Sequence, residues 1–157
     1  MIFVGEKTID KTLDLLGEDA SKIEKAVEKV LQRYPALEEY AEQENFLVLT
    51  GEERAILHYC ILVIVEASMA ALGNDVRIDA QNLEKAEEAN WEVRSLAESK
   101  KFDQVIDSYF EGYKQEDLLA FVEDTLVQDE DSPVSAIGRE VIFISCKAVI
   151  DTLDHLN

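Results

Sequence analysis

Apolar residues recur along most of the chain at spacings of three, four and seven positions, whereas strict alternation of apolar and polar residues is almost absent. The first spacing places side chains on one face of an α-helix, and the second would be typical of strands. The pattern therefore predicts about eight helices joined by short connections. Their predicted extents are residues 7–16, 21–34, 35–43, 54–72, 79–99, 102–111, 115–127 and 132–156.

The fourth predicted helix, residues 54–72, is apolar on nearly every side. Thr50-Gly51-Glu52-Glu53 matches a capping box at its start, and Gly73-Asn74 provides a stop. A helix that is apolar all round has to be surrounded by other helices. His58 and Glu66 interrupt the apolar run, which falls short of the roughly 20 apolar residues of a membrane span. We expect a buried helix at the centre of the domain and no membrane insertion.

The composition agrees with a single all-α domain. The chain has 157 residues, of which 47% are hydrophobic and 31% charged, and it contains only two prolines and six glycines. Such a chain is too apolar to be disordered and too poor in turn residues for a sandwich or a barrel. Cys60 and Cys146 lie in apolar helical stretches, as buried and reduced thiols do, and the N-terminus shows no secretory signal. These features predict a cytoplasmic protein.

Acidic residues are concentrated in one tract, residues 103–131, which holds ten carboxylates against the single base Lys114. The formal net charge of the whole chain is -19. A surface of this kind repels polyanions and attracts cations, so we expect no binding of nucleic acid and favour a basic protein as partner. The alternative is a solvated face that serves solubility.

Some carboxylates of the tract are expected near helix N-termini, where the helix dipole favours negative charge. These are Asp103, Glu116, Asp117, Asp129, Glu130 and Asp131. The others lie in the middle of a predicted helix or toward its C-terminal end, and repulsion between like charges four residues apart costs only about 0.2–0.5 kcal/mol per pair. They are the candidate interaction residues Asp107, Glu111, Glu123 and Asp124.

Trp91 departs from the pattern of the fifth predicted helix. The apolar face of that helix is built from Leu83, Ala86, Ala89, Val93, Leu96 and Ala97. Trp91 lies on the other side, which it shares with charged residues such as Glu87 and Arg94. An aromatic side chain on a charged face is either covered by another segment or available as an anchor for a partner. Trp91 is therefore a further interaction candidate.

The central helix carries three polar residues that could line a pocket. Glu66 lies on the same stripe as Tyr59, and an ionisable residue in so apolar a helix can be a carboxylate with a shifted pKa. The plainer interpretation is that this stripe reaches water or a basic side chain of a neighbouring helix. His58 lies between apolar positions, as a core histidine does, but it could also contribute to such a pocket.

Motifs for metal or covalent chemistry do not emerge. No Glu-x-x-His pair of a di-metal bundle occurs, and Asp129-Glu130-Asp131 is followed at once by Ser132-Pro133 instead of the glycine turn of a calcium loop. Asp151 and His155 supply only two of the ligands that a metal needs. We expect no metal, no cofactor and no catalytic residue, although enzymatic activity is left open.

Several strings distributed over most of the chain resemble a family of small, acidic, all-helical bacterial proteins of unknown function. They are Tyr34-Pro35-Ala36-Leu37, Glu44-Asn45-Phe46, residues 49–54, Asn90-Trp91-Glu92 and residues 113–124. The resemblance implies a bacterial, cytosolic all-α domain. It transfers no catalytic or binding residue.

The favoured hypothesis is a non-enzymatic interaction module that presents its acidic surface to a basic protein. An inhibitor of a basic nuclease or a mimic of DNA would be one version of it. The alternative is a small-molecule-binding protein or an enzyme with a pocket near Tyr59, Glu66 and His58. The oligomeric state is left open, because an apolar helix can complete its burial within one chain or across a dimer.

Overall fold

A computed structural model describes all 157 residues and contains eight α-helices, one 3-10 helix and no strand. The all-α prediction is confirmed, and the predicted helix ends are close to those observed. The α-helices are α1 Glu6–Leu16, α2 Ala20–Arg33, α3 Pro35–Ala41, α4 Gly51–Leu72, α5 Ala80–Leu96, α6 Phe102–Phe110, α7 Glu116–Thr125 and α8 Ala136–Leu156. The 3-10 helix, Glu44–Val48, connects α3 to α4.

Two helix starts differ from the predicted ones. The second helix begins one residue before its predicted start at Ser21, because Asp19 caps α2 by accepting the N–H of Lys22. The last helix begins after Ser135 and not at Ser132-Pro133, because Ser132 Oγ accepts the N–H of Val134 and closes a turn there. The capping box of α4 is formed as predicted, with Thr50 and Glu53 accepting from each other's backbone.

The core is built around two helices, α4 and α8, which pack against each other. Helix α4 contributes buried residues on nearly all sides, as predicted, and α1 and α2 cover it. Helix α8 is just as enclosed, with almost every residue from Val141 to Ile150 buried, and α5 and α7 pack along it. The centre of the domain is therefore a pair of helices, of which the sequence pattern predicted only the first.

Glu53 joins the beginnings of the two central helices. Its side chain is 1% exposed, and one carboxylate oxygen accepts the N–H of Thr50 while the other accepts both the N–H and the hydroxyl of Ser135. A Cβ on Gly138 would overlap this carboxylate, so glycine is required where α8 passes α4. Burial raises the pKa of Glu53, but these hydrogen bonds outweigh burial and hold the pKa below its ordinary value.

The predicted apolar face of α5 is wrong toward its C-terminal end. Leu96 is 84% exposed, and Val93 and Ala89 are also exposed. The inward side instead carries Asn90 and Arg94, because α8 offers them partners: Asn90 Nδ2 lies 2.9 Å from Asp151, and Arg94 Nε lies 2.6 Å from Glu140. Apolar periodicity failed here because it does not detect polar side chains that are buried with hydrogen-bond partners on a distant helix.

Helix α4 is long and apolar enough to cross a membrane by length and composition. Half of its most apolar stretch is buried inside the domain. The same composition is typical of the core helix of a globular protein.

Candidate functional site

The acidic candidates lie on two neighbouring helices, with Asp107 on α6 and Glu123 and Asp124 on α7. Burial raises the pKa of Glu123, and the charges of Asp124, Asp107 and Asp103 add to this effect, whereas Arg139 opposes it. These carboxylates therefore lie close enough to repel one another. Glu111, the fourth candidate, is exposed at the C-terminal end of α6 and is not among the charges that act on Glu123.

Arg139 partly neutralises this acidic ridge, which we define as Asp103, Asp107, Glu123 and Asp124. Its guanidinium pairs with Asp103 and lies over the ring of Phe102, 5.5 Å from the ring centre.

Asp129, Glu130 and Asp131 do not belong to a helix terminus as predicted, because α8 begins only at Ala136. They are exposed in the loop before it, where Asp129 accepts the N–H of Asp131.

A groove between α1 and α7 adjoins the ridge. It encloses about 380 Å³ and has an apolar floor of Ile9, Leu13, Ala120 and Phe121. The remaining lining residues are all carboxylates, namely Glu6, Asp10, Asp117 and Asp124. Asp124 belongs to both the groove and the ridge, so the two form one continuous acidic surface.

The carboxylates of the α1/α7 groove are not equivalent. Asp117 Oδ2 accepts the N–H of Glu6 at 2.9 Å and thereby fixes the first turn of α1 against α7. Asp10 and Asp124 are exposed and form no hydrogen bond within the chain. Asp10 and Asp124 are therefore free to meet a cationic ligand, whereas Asp117 has a structural role.

A larger groove lies between α2 and the first half of α4. It encloses about 680 Å³, and its walls are mostly apolar, with Ile23 and Val27 from α2 facing Ile56 and Tyr59 from α4. His58 and Arg54 also line it, and Glu18 and Glu24 lie at its edge. The same His58 and Arg54 line a smaller depression of about 200 Å³ beside the 3-10 helix, so they lie where the two depressions meet.

The side chains of His58 and Tyr59 have no hydrogen-bond partner within the fold. Neither side chain forms a hydrogen bond to another residue, although Tyr59 packs against Phe121 with ring centres 6.3 Å apart. Burial lowers the pKa of His58, and the charge of Arg54 lowers it further, against a weaker opposite effect of Glu42. The imidazole is therefore neutral near pH 7 and can act as donor and acceptor.

Glu66 and Trp91 lie outside both grooves. Glu66 is partly exposed on α4, two turns beyond Tyr59, and does not line the α2/α4 groove. Its charge acts on Arg33 of the neighbouring helix α2, whose pKa is raised mainly by Asp75. Trp91 is partly buried and packs against the hydrophobic core. The structure thus brings His58 and Tyr59 together on one groove and separates Glu66 from them.

A polar network around Asp151 was missed by the sequence analysis, which considered Asp151 only together with His155 as a possible metal ligand. Asp151 accepts hydrogen bonds from Tyr113 at 2.6 Å, Asn90 at 2.9 Å and Lys147 at 3.0 Å. The ammonium of Lys147 lies 4.3 Å from the centre of the Tyr113 ring. Burial and the charge of Asp151 both raise the pKa of Tyr113. No sequence signal marked this site, because its members come from three distant segments.

No group of three or more His, Cys, Asp or Glu side chains has the arrangement needed to hold a metal ion. Comparison of the chain with protein-family models, with curated proteins and with solved structures gives no match.

Proposed function

We propose that this protein is a non-enzymatic interaction module that binds a basic, amphipathic segment of a partner protein in the α1/α7 groove. The observation that supports the proposal is the combination of an apolar floor with walls made only of carboxylates. A cationic helix with one apolar face would place apolar side chains against Leu13 and Phe121 and its lysines or arginines beside Asp10 and Asp124.

The rest of the acidic surface would act over longer distances. The net charge of -19 raises the encounter rate with a cationic partner at low salt, and the ridge continues the acidic wall of the groove. A mimic of DNA needs regularly spaced charges but no apolar floor, so the groove favours a protein segment over that version of the hypothesis. The cytoplasm is the compartment that we propose, since Cys60 and Cys146 are both buried free thiols.

The test uses a synthetic amphipathic helical peptide with one face of leucines and one face of lysines. A second peptide with glutamates in place of the lysines is the charge-reversed probe. The double variant Asp10→Asn/Asp124→Asn should weaken binding of the lysine peptide by about 5- to 30-fold at low salt, because each exposed ion pair is worth roughly 0.5–1 kcal/mol. Isothermal titration calorimetry over a salt series measures this loss.

The matched control is Asp14→Asn/Glu116→Gln, which removes the same charge from the same two helices but outside the groove. We expect this control to change the affinity by less than about threefold. Equal losses in both double variants would show that the peptide responds to net charge and not to the groove. Equal affinity for the glutamate peptide would also contradict the proposal.

A further inference from the structure

Arg54 stands apart from the other arginines of this chain. The five arginines are greatly outnumbered, since the chain has 34 acidic residues and 15 basic ones. Arg33, Arg94 and Arg139 pair with carboxylates, and Arg77 donates to the backbone carbonyl of Leu156. Arg54 forms no ion pair, and its one hydrogen bond joins Nε to the carbonyl of Phe46 at a long 3.4 Å. Both terminal nitrogens of its guanidinium are free.

The surroundings of Arg54 are suited to an amphipathic ligand. Arg54 is partly buried and lines the α2/α4 groove, whose volume of about 680 Å³ is in the usual range for small-molecule sites. The neighbouring imidazole of His58 offers a further N–H. Beyond these polar groups the walls are apolar, formed chiefly by Val27, Ile56 and Tyr59.

Two carboxylates at the groove edge, Glu18 and Glu24, carry the opposite charge to Arg54. Both are exposed, so water hydrates them fully and salt screens them. Arg54 has already lost part of its hydration beside the apolar wall. A ligand carboxylate that accepts two hydrogen bonds from the Arg54 guanidinium would replace the lost hydration with acceptors that the fold does not provide.

We propose that the α2/α4 groove binds a single-chain aliphatic carboxylate, with its alkyl chain on the apolar walls and its head group on Arg54 and His58. The inference is independent of the acidic α1/α7 groove, which lies on a different pair of helices. Lengthening the ligand by one CH₂ should tighten binding about two- to fourfold until the chain reaches the end of the groove.

The first measurement compares decanoate, decanol and decylammonium, each kept below its micelle concentration, by calorimetry and by backbone amide chemical shifts. Decanoate should bind about tenfold or more tightly than the other two, and its shifts should map to α2 and the first half of α4. Absence of decanoate binding, a preference for decylammonium, or shifts centred on α1 and α7 would each overturn the proposal.

The second measurement uses Arg54→Met, which keeps an unbranched apolar stem and removes the guanidinium. It should weaken decanoate binding about tenfold while leaving decanol binding unchanged. Arg33→Met, which removes the same charge from α2 outside the groove, is the control and should leave both unchanged. Equal decanoate affinity of wild type and Arg54→Met would contradict the assigned head-group site.

The third measurement fills the groove. Ala55 is exposed in it, so Ala55→Phe should reduce binding of decanoate and decanol alike, whereas Ala70→Phe, at an exposed position of the same helix outside the groove, should not. Sedimentation of the wild type and of both variants tests whether a second copy of the chain occupies the groove. If the wild type is a dimer that Ala55→Phe dissociates but decanoate does not, the groove serves self-association and the proposal is overturned.

Discussion

The Asp151 network and the α2/α4 groove each contain a cation and a tyrosine at the edge of the core, but they differ in what holds the cation. At Asp151, the ammonium of Lys147 has a carboxylate 3.0 Å away and an aromatic face 4.3 Å away, and Asn90 and Tyr113 donate to the same carboxylate. At the groove, Arg54 has only a long hydrogen bond to a carbonyl. Lys147 is therefore paired within the fold, whereas Arg54 is available to bind a ligand.

This difference separates structural polar groups from candidate ligand-binding ones. A buried polar group without a partner destabilises the folded state, and the side chains of Glu53, Asn90 and Asp151, which join α4, α5 and α8, each have hydrogen-bond partners. Arg54, His58 and Tyr59 keep access to solvent at the groove and have no partner of this quality. The comparison therefore predicts large stability losses at the first kind of site and small ones at the second.

The largest loss is expected at the Glu53 junction, where Gly138→Ala places a methyl group into the Glu53 carboxylate. The carboxylate has to move and give up its bonds to Thr50 and Ser135, so the free energy of unfolding should fall by about 3 kcal/mol. Urea unfolding followed by circular dichroism measures this loss. In a Glu53→Ala background the same glycine substitution should cost less than about 1 kcal/mol, because the overlapping group is gone. Equal costs in the two backgrounds would contradict the assigned contact.

The next largest effect is expected for Asp151→Ala, which leaves Lys147 nearly buried and without an acceptor. The side chains of Lys147 and Asp151 are 11% and 26% exposed, so water compensates part of the loss, and we expect a decrease of about 2 kcal/mol in the free energy of unfolding. Arg54→Met should change it by less than about 0.5 kcal/mol. Similar losses for the two variants, measured by urea unfolding, would remove the distinction between the two regions.

Most of the fold could be predicted because helix periodicity and capping are local. The box at Thr50 and Glu53 was read correctly from four consecutive residues. The same box also shows the limit of local patterns, since the bonds from Glu53 to Ser135 join residues 82 positions apart. The apolar face of α5 was predicted wrongly for the same reason, since it depends on a residue far away in the sequence. Arg94 faces inward because it pairs with Glu140 of α8, and Leu96 is exposed instead.

The candidate sites were predictable to a smaller extent. His58 and Tyr59 line one groove, although helix geometry places residues three and four positions apart, and not adjacent ones, on the same face. Glu66 was grouped with Tyr59 by its stripe, but it does not line the groove. The apolar floor of the α1/α7 groove combines residues more than a hundred positions apart, so only the structure could join Ile9 to Phe121.

The smallest effect concerns the pH dependence of stability at His58. Burial, then Arg54, lowers the pKa of His58 in the folded state, so the unfolded chain binds a proton more readily. The associated stability is complete above the ordinary pKa of 6.5 and decreases as the pH falls through that value, until the folded protein is protonated too. Urea midpoints at about pH 7.5 and about pH 5.5 should therefore differ less for His58→Gln than for the wild type. Arg54→Met should reduce the difference as well, because it removes the second cause of the lowered pKa while Glu42 continues to oppose burial. An unchanged difference in His58→Gln would mean that the imidazole is hydrated as in the unfolded chain, and the groove would then lack the desolvated polar wall that distinguishes it from an ordinary surface.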